Sequence, residues 1–337
     1  MKPHPLNFQY FPTETYAQAT RRIEELQSRD SEDIPSVSQT IFMTQGGRTD
    51  WVVVWFHGYT SSPFQFKQLG EICHQLGANV LIPRVPYHGQ LDPYTNETRH
   101  LTARKMRQCV NEAIDIATGL GEKISIGGLS MGGVMTIWAA QFRTEVDVAV
   151  PISPALGFEI IPGTLTPLAA ELFRFLPNLD RWWDKNNPTA DPTRPHTHAR
   201  ISTRALANIL WLGLHARRQA CKKPPAARQI RMVLNENDHV VNNQYILSMM
   251  DLWKNKSKSV AEIKFLLRQK GIDTKDLTNF QFKNDLDAIK TILAKKNLTP
   301  DILTDFKQKQ RLYTSFFRRG FQLSDINTAI DDFLSLK

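Results

Sequence analysis

Short apolar runs alternate with longer amphipathic stretches over roughly the first 250 residues. Trp51-Val52-Val53-Val54-Trp55-Phe56 is a continuous apolar run that ends in His57-Gly58. Ala78 to Ile82 is a second run, closed by Pro83; Lys123 to Ile126, Val146 to Ile152 and Ile230 to Leu234 follow. Between them, Ala103 to Leu120 places Met106, Val110, Ile114 and Ala117 at helical spacing. Fully apolar runs bounded by turns and separated by helices predict a parallel sheet covered on both faces. The expected class is α/β.

The pattern changes near Lys254-Asn255-Lys256-Ser257-Lys258-Ser259, a polar stretch of the kind that joins domains. Beyond it every predicted element is helical. Lys270-Gly271-Ile272-Asp273-Thr274-Lys275-Asp276-Leu277 recurs as Arg319-Gly320-Phe321-Gln322-Leu323-Ser324-Asp325-Ile326. Val260, Ile263, Leu266 and Leu267 lead into the first copy, and Leu312, Phe316 and Phe317 into the second. Each glycine falls where a helix ends, and each aspartate where the next begins. Thr299-Pro300-Asp301 reads as a helix start. The expectation is a helical repeat with a period near 50 residues.

Composition supports the division. All seven Trp, nine His and three Cys lie at or before Trp253. Residues 255–337 hold 16 Lys+Arg against 10 Asp+Glu, and residues 1–254 hold 26 against 23. The expected domains are 1–254, with a cap at about 155–225, and 255–337. The chain's net charge of +9 admits an anionic partner, although a solvated basic surface gives the same number. No apolar run reaches about 18 residues, so no membrane span is expected. The first residues, Met1-Lys2-Pro3-His4-Pro5, have no apolar signal core, and the expected location is the cytoplasm. Cys73, Cys109 and Cys221 make no metal-ligand spacing, and neither a metal nor another cofactor is expected.

The chemistry concentrates at Gly127-Gly128-Leu129-Ser130-Met131-Gly132-Gly133, which contains G-x-S-x-G as Gly128, Ser130 and Gly132. A serine presented on a sharp strand-to-helix turn needs glycines two residues to either side, because side chains there would clash. A Gly/Ser-rich turn without chemistry carries the same letters. A strand before and Val134, Met135, Ile137 and Trp138 after favour a nucleophile elbow. About seventy residues upstream, the first run ends in His57-Gly58-Tyr59-Thr60-Ser61-Ser62.

With these two motifs, and with Pro86-Tyr87-His88-Gly89, residues of about 45–250 resemble the α/β-hydrolase superfamily, nearest its carboxylesterase and monoacylglycerol-lipase-like branch. The resemblance implies a parallel-type sheet with a helical cap. It implies acyl-ester hydrolysis through Ser130, with the amides of Tyr59 and Met131 as the oxyanion hole and His57 bracing the oxyanion loop. Asp238 is the implied acid, with Glu236 second and a solvated turn as the alternative for either. In the cap, Leu172-Phe173-Arg174-Phe175-Leu176 and Trp182-Trp183 fit an acyl pocket or cap packing equally. His196-Thr197-His198 reads as two surface loop histidines. The family's base should follow the acid by one more strand, yet no histidine follows His239. The expectation is a hydrolase domain lacking its last strand and its base, with His88 and His57 as the substitutes nearest the site. A native fusion, a truncation or a faulty join would each give this pattern.

The C-terminal part resembles the last two three-helix repeats of the regulatory protein family RecX, over about 258–337. The resemblance rests on Leu266 to Ile272, Ala288 to Lys296, and Phe316-Phe317-Arg318-Arg319-Gly320-Phe321. It implies binding to a RecA filament, with Arg268, Lys270, Arg318 and Arg319 as contact candidates for RecA or DNA. Two function classes therefore stand: an impaired serine esterase or lipase taking a small acyl ester, and a non-catalytic RecA regulator for which the hydrolase part is a relic or scaffold.

Overall fold

The computed structural model describes residues 10–30, 33–157, 165–183, 197–234, 286, 289, 293, 306–317 and 321–335. The chain divides into two compact units, Met1–Met250 and Asp251–Lys337.

The first unit is built on a six-stranded sheet. Its strands are β1 (Ile41–Met43), β2 (Thr49–Phe56), β3 (Asn79–Ile82), β4 (Gly121–Leu129), β5 (Val146–Ile152) and β8 (Gln229–Ile230), in the order β1-β3-β2-β4-β5-β8. All neighbours are parallel except β1, which runs antiparallel to β3. The sequence pattern omits β1, and the run Ile230–Leu234 forms only the short β8 and an isolated bridge from Val233 to Ile152. Strand β2 explains why its run is apolar throughout. Val53 and Trp55 pack with Phe66, Ala78, Val80 and Ile82 in one cluster, and Val52, Val54 and Phe56, which alternate with them, are fully buried as well.

Helices cover the sheet. They are α2 (Lys67–Gln75), α3 (Ala103–Leu120) and α4 (Met131–Phe142), with α1 (Tyr16–Gln27) packed on α3. The Thr102 side chain accepts the Lys105 N–H and starts α3 where the spacing predicts it. Helix α4 is buried from Met131 to Gln141, packed against β4, β5 and α3. A helix apolar all round is one enclosed on all sides, and α4 has no polar face to offer water. The hydrolase-like fold also starts before residue 45: α1 lies on α3, and the Phe11 N–H donates to Asp115 Oδ2 at 2.8 Å.

Between β5 and β8 lies the cap, with α5 (Thr166–Phe175), α6 (Thr203–Ala220) and the antiparallel pair β6 (Asp180–Trp182) and β7 (Arg200–Ser202). Helix α5 packs on α6, and α6 on α4. Leu172, Phe173, Phe175, Leu176, Trp182 and Trp183 are exposed, Phe175 to 78%, although Trp182 packs against the Tyr94 ring and under Arg200.

In the second unit the described helices are α7 (Phe306–Phe317) and α8 (Leu323–Ser335). Asp325 sits in the first turn of α8, as the repeat pattern predicts. Ile289, Leu293, Leu312, Phe316, Phe321, Ile326, Ala329 and Ile330 form its core. The first copy of the repeat lies outside the described residues. Among the described residues, no helix is long and apolar enough to cross a membrane.

Candidate functional site

Ser130 stands between β4 and α4 with φ 53° and ψ −107°, a conformation that costs a non-glycine residue on the order of 1–3 kcal/mol. Backbone bonds hold it there. The Ser130 N–H donates to Ile152 O at 2.9 Å, and the Ser130 carbonyl accepts from Val134 N at 3.0 Å and Ala155 N at 3.1 Å. The glycines are required by close approach. A Cβ on Gly132 would collide with the Phe56 carbonyl, and one on Gly128 would lie 2.5 Å from the Gly132 carbonyl group. The elbow therefore packs backbone to backbone against the end of β2.

The same approach brings in the second loop. A Cβ on Gly132 would also lie 2.8 Å from the His57 carbonyl, and one on Gly58 would lie 3.7 Å from Leu129 O. The Gly58 N–H is held by Gln65 Oε1 at 2.7 Å. Met131 N is the first amide of α4, at the positive end of its dipole, and Tyr59 follows Gly58 on the facing loop. Ser130 itself is half-buried.

Behind this loop lie three histidine rings. His57 and His88 are 5.2 Å apart, and His88 and His198 5.8 Å. His57 is buried, its Nδ1–H donating to Gly58 O at 2.9 Å and its Nε2 accepting from Val85 N at 3.1 Å. Both ring nitrogens are thus occupied by backbone, and burial pushes its pKa down to about 3. His88 is also buried; its Nδ1–H donates to Pro86 O at 2.9 Å. Burial, then the neighbouring His57 and His198, hold its pKa well below the usual histidine value.

His198 corrects the sequence reading. It is 4% exposed, not a surface loop residue, because the chain folds down onto the 86–89 loop and its Nε2 accepts the Gly89 N–H at 3.0 Å. Burial lowers its pKa to about 4. The spacing of His196 and His198 carried no signal of this. The contact with the Gly89 N–H spans 109 residues. Asp238, Glu236, Arg268, Lys270, Arg318 and Arg319 lie outside the described residues. A cleft of about 790 Å³ along α1 and α3 is lined by the paired charges Arg29–Glu112 and Arg84–Asp30, and includes neither Ser130 nor Tyr59.

Comparison with known proteins agrees with the two-part reading. Residues 284–330 match the family described as RecX, third three-helix domain. A thermostable monoacylglycerol lipase from Bacillus sp. (strain H-257) is 28% identical over 136 residues, 40% of this chain and 52% of the lipase. The chain thus spans about half the length of that relative. Among solved structures, that of the metagenome-derived lipolytic enzymes LipS and LipT superimposes with a TM-score of 0.51 at 22% identity, covering 66% of this chain and 84% of that one. The monoacylglycerol lipase of Paleococcus ferrophilus gives 0.48 at 21% identity, over 64% and 84%. The first unit has the α/β-hydrolase fold and is similar in sequence to a lipase, and residues 284–330 are similar to the third three-helix domain of RecX.

Proposed function

We propose that the first unit is an acyl-transfer scaffold of the carboxylesterase and lipase type whose turnover is impaired by the lack of a base. The observation that carries this reading is the strained Ser130 at the head of α4, packed through Gly132 against the Phe56 and His57 carbonyls. In this reading Ser130 Oγ attacks the ester carbonyl, and the amides of Tyr59 and Met131 meet the oxyanion. Asp238 would orient a histidine base, but no histidine follows His239 in this sequence. His57 is a brace, since neither of its ring nitrogens is free to take a proton. Small acyl esters are the substrate class.

A serine hydroxyl is a weak nucleophile at neutral pH until a positioned base takes its proton. Losing the base of an intact triad costs on the order of 10⁶ in turnover. A fluorophosphonate probe should therefore label Ser130 over hours, with no label in Ser130→Ala, and aryl-ester turnover should hardly change between the two. No label on Ser130 would refute the nucleophile. Turnover of about 1 s⁻¹ abolished by Ser130→Ala would refute the impairment and send attention to His88, then His57.

The match at 284–330 favours a second reading for the C-terminal unit, as a RecA-filament binding module with regulatory rather than catalytic effect. The excess of basic residues over 255–337 supports it. Cosedimentation of the full chain with RecA filaments should be weak and fall as salt rises. Absence of cosedimentation at low salt would refute it.

A further inference from the structure

The side chain of Tyr59 performs a task separate from its amide. Its hydroxyl donates to Thr98 Oγ1 at 3.0 Å and accepts the Ser202 N–H at 3.0 Å. Ser202 is the N-cap of α6, its own hydroxyl accepting from Ala205 N, and it is fully buried. The tyrosine ring is 5% exposed and packs edge-on to His88 with centroids 5.5 Å apart. Four residues earlier in the same cap segment, the His198 N–H donates to Thr60 O at 2.9 Å. One short stretch of the cap, His198 to Ser202, therefore grips two consecutive residues of the oxyanion loop.

We propose that the Tyr59 hydroxyl is a positioning group for acyl transfer: it ties the cap at Ser202 to the peptide whose N–H meets the oxyanion, so that the seating of the cap sets the aim of that N–H. This rests on the reading of Ser130 as nucleophile. A buried phenol with two rotatable bonds, fixed at its far end by two hydrogen bonds and along its ring by His88, leaves its own Cα little room to move. Oxyanion donors act by being held in place before charge develops, so a small loss of aim is felt in rate more than in binding. The predicted coupling also runs outward: anything that lifts Ser202 off Tyr59 loosens the hole.

Tyr59→Phe keeps the ring and removes the bond. Two measurements on the full chain decide the matter. Amide hydrogen exchange should rise together in residues 57–62 and 198–205 and stay unchanged in α3. The limiting rate constant for fluorophosphonate labelling of Ser130 should fall about tenfold, a fraction of what loss of a whole donor costs, with the probe's apparent affinity unchanged. Unchanged exchange in both segments would overturn the tie. Raised exchange with unchanged labelling, or a loss confined to affinity, would overturn the positioning role. A wild-type chain that takes no label at all would refute the nucleophile and the positioning role with it, an outcome recognisable before any variant is made. Should Tyr59→Phe fail to fold, Thr98→Val removes one of the two bonds that fix the phenol: exchange should rise over 57–62 and labelling of Ser130 slow, both by less than in Tyr59→Phe, and unchanged labelling would overturn the positioning role.

Discussion

Asp115 Oδ1 lies 2.6 Å from Arg143 Nη2, with the two side chains 4% and 0% exposed. Arg143 also bonds Glu145 Oε1 at 2.8 Å and Asn111 Oδ1 at 3.1 Å, and its guanidinium sits over the Tyr10 ring at 4.2 Å. The pair joins α3, the end of α4 and the segment before α1. Arg143→Met should cost about 3–5 kcal/mol, because it leaves the Asp115 charge buried and uncompensated. Adding Asp115→Leu should recover much of that loss. Urea unfolding of the single and double variants checks both, and a loss below about 1 kcal/mol for the single would contradict the burial.

Gly132→Ala should be among the most damaging small substitutions in the chain. Its methyl would meet the Phe56 carbonyl, a backbone group at the end of β2 that has no rotamer to change. Forcing β2 and α4 apart should cost about 3 kcal/mol or more. Thermal unfolding should fall sharply, whereas Gly47→Ala, with nothing within 4 Å, should leave it unchanged.

Acid should weaken the first unit early. His57, His88 and His198 are held neutral in the fold, with pKa values of about 3 and about 4 for His57 and His198. In the unfolded chain they titrate near 6.5. Between those values the unfolded state binds more protons, so stability rises with pH across the window. For His57 and His198 it is complete above about 6.5 and lost on the way down to about 3–4, by up to ~1.4 kcal/mol per pH unit for each. The urea midpoint should drop from pH 7 to pH 5. His198→Gln, which keeps an acceptor for the Gly89 N–H, should make that slope shallower, and a flat wild-type profile would refute the account.

The second unit should have a stability of its own. Phe316 is 1% exposed and meets Phe321 edge-on at 5.9 Å, so Phe316→Ala should cost about 3–5 kcal/mol there. The melting of the hydrolase fold should not move. Limited trypsin digestion should cut first at Lys254, Lys256 or Lys258, and faster in the variant. Simultaneous loss of both units, with no fragment of about 255 residues, would contradict their independence.

The parts of the fold that declared themselves were those with a local cause. Val146–Ile152 and Ala103–Leu120 have the bounds their patterns predict, the first because an apolar run can be enclosed on both faces, the second because Thr102 caps a periodic stretch. The elbow was legible because its glycines answer to a backbone contact that any such turn must make. Strand β1 was not, since three residues on an edge carry no period. Tyr59 yielded only its amide to the sequence; its hydroxyl's partners lie 39 and 143 residues away. His198 looked exposed among polar neighbours, and only the folded cap shows what it touches.

Strand β4 has three strands on one side and two on the other. Among the described residues, the backbone bonds and close approaches at Ser130, Gly128 and Gly132 come from residues between Phe56 and Ala155. The backbone contacts that set the serine thus come from one contiguous stretch of gene. A lineage that keeps this stretch keeps the strained turn with it. The turn is then a heritable unit, a backbone setting that can pass between chains with different surroundings.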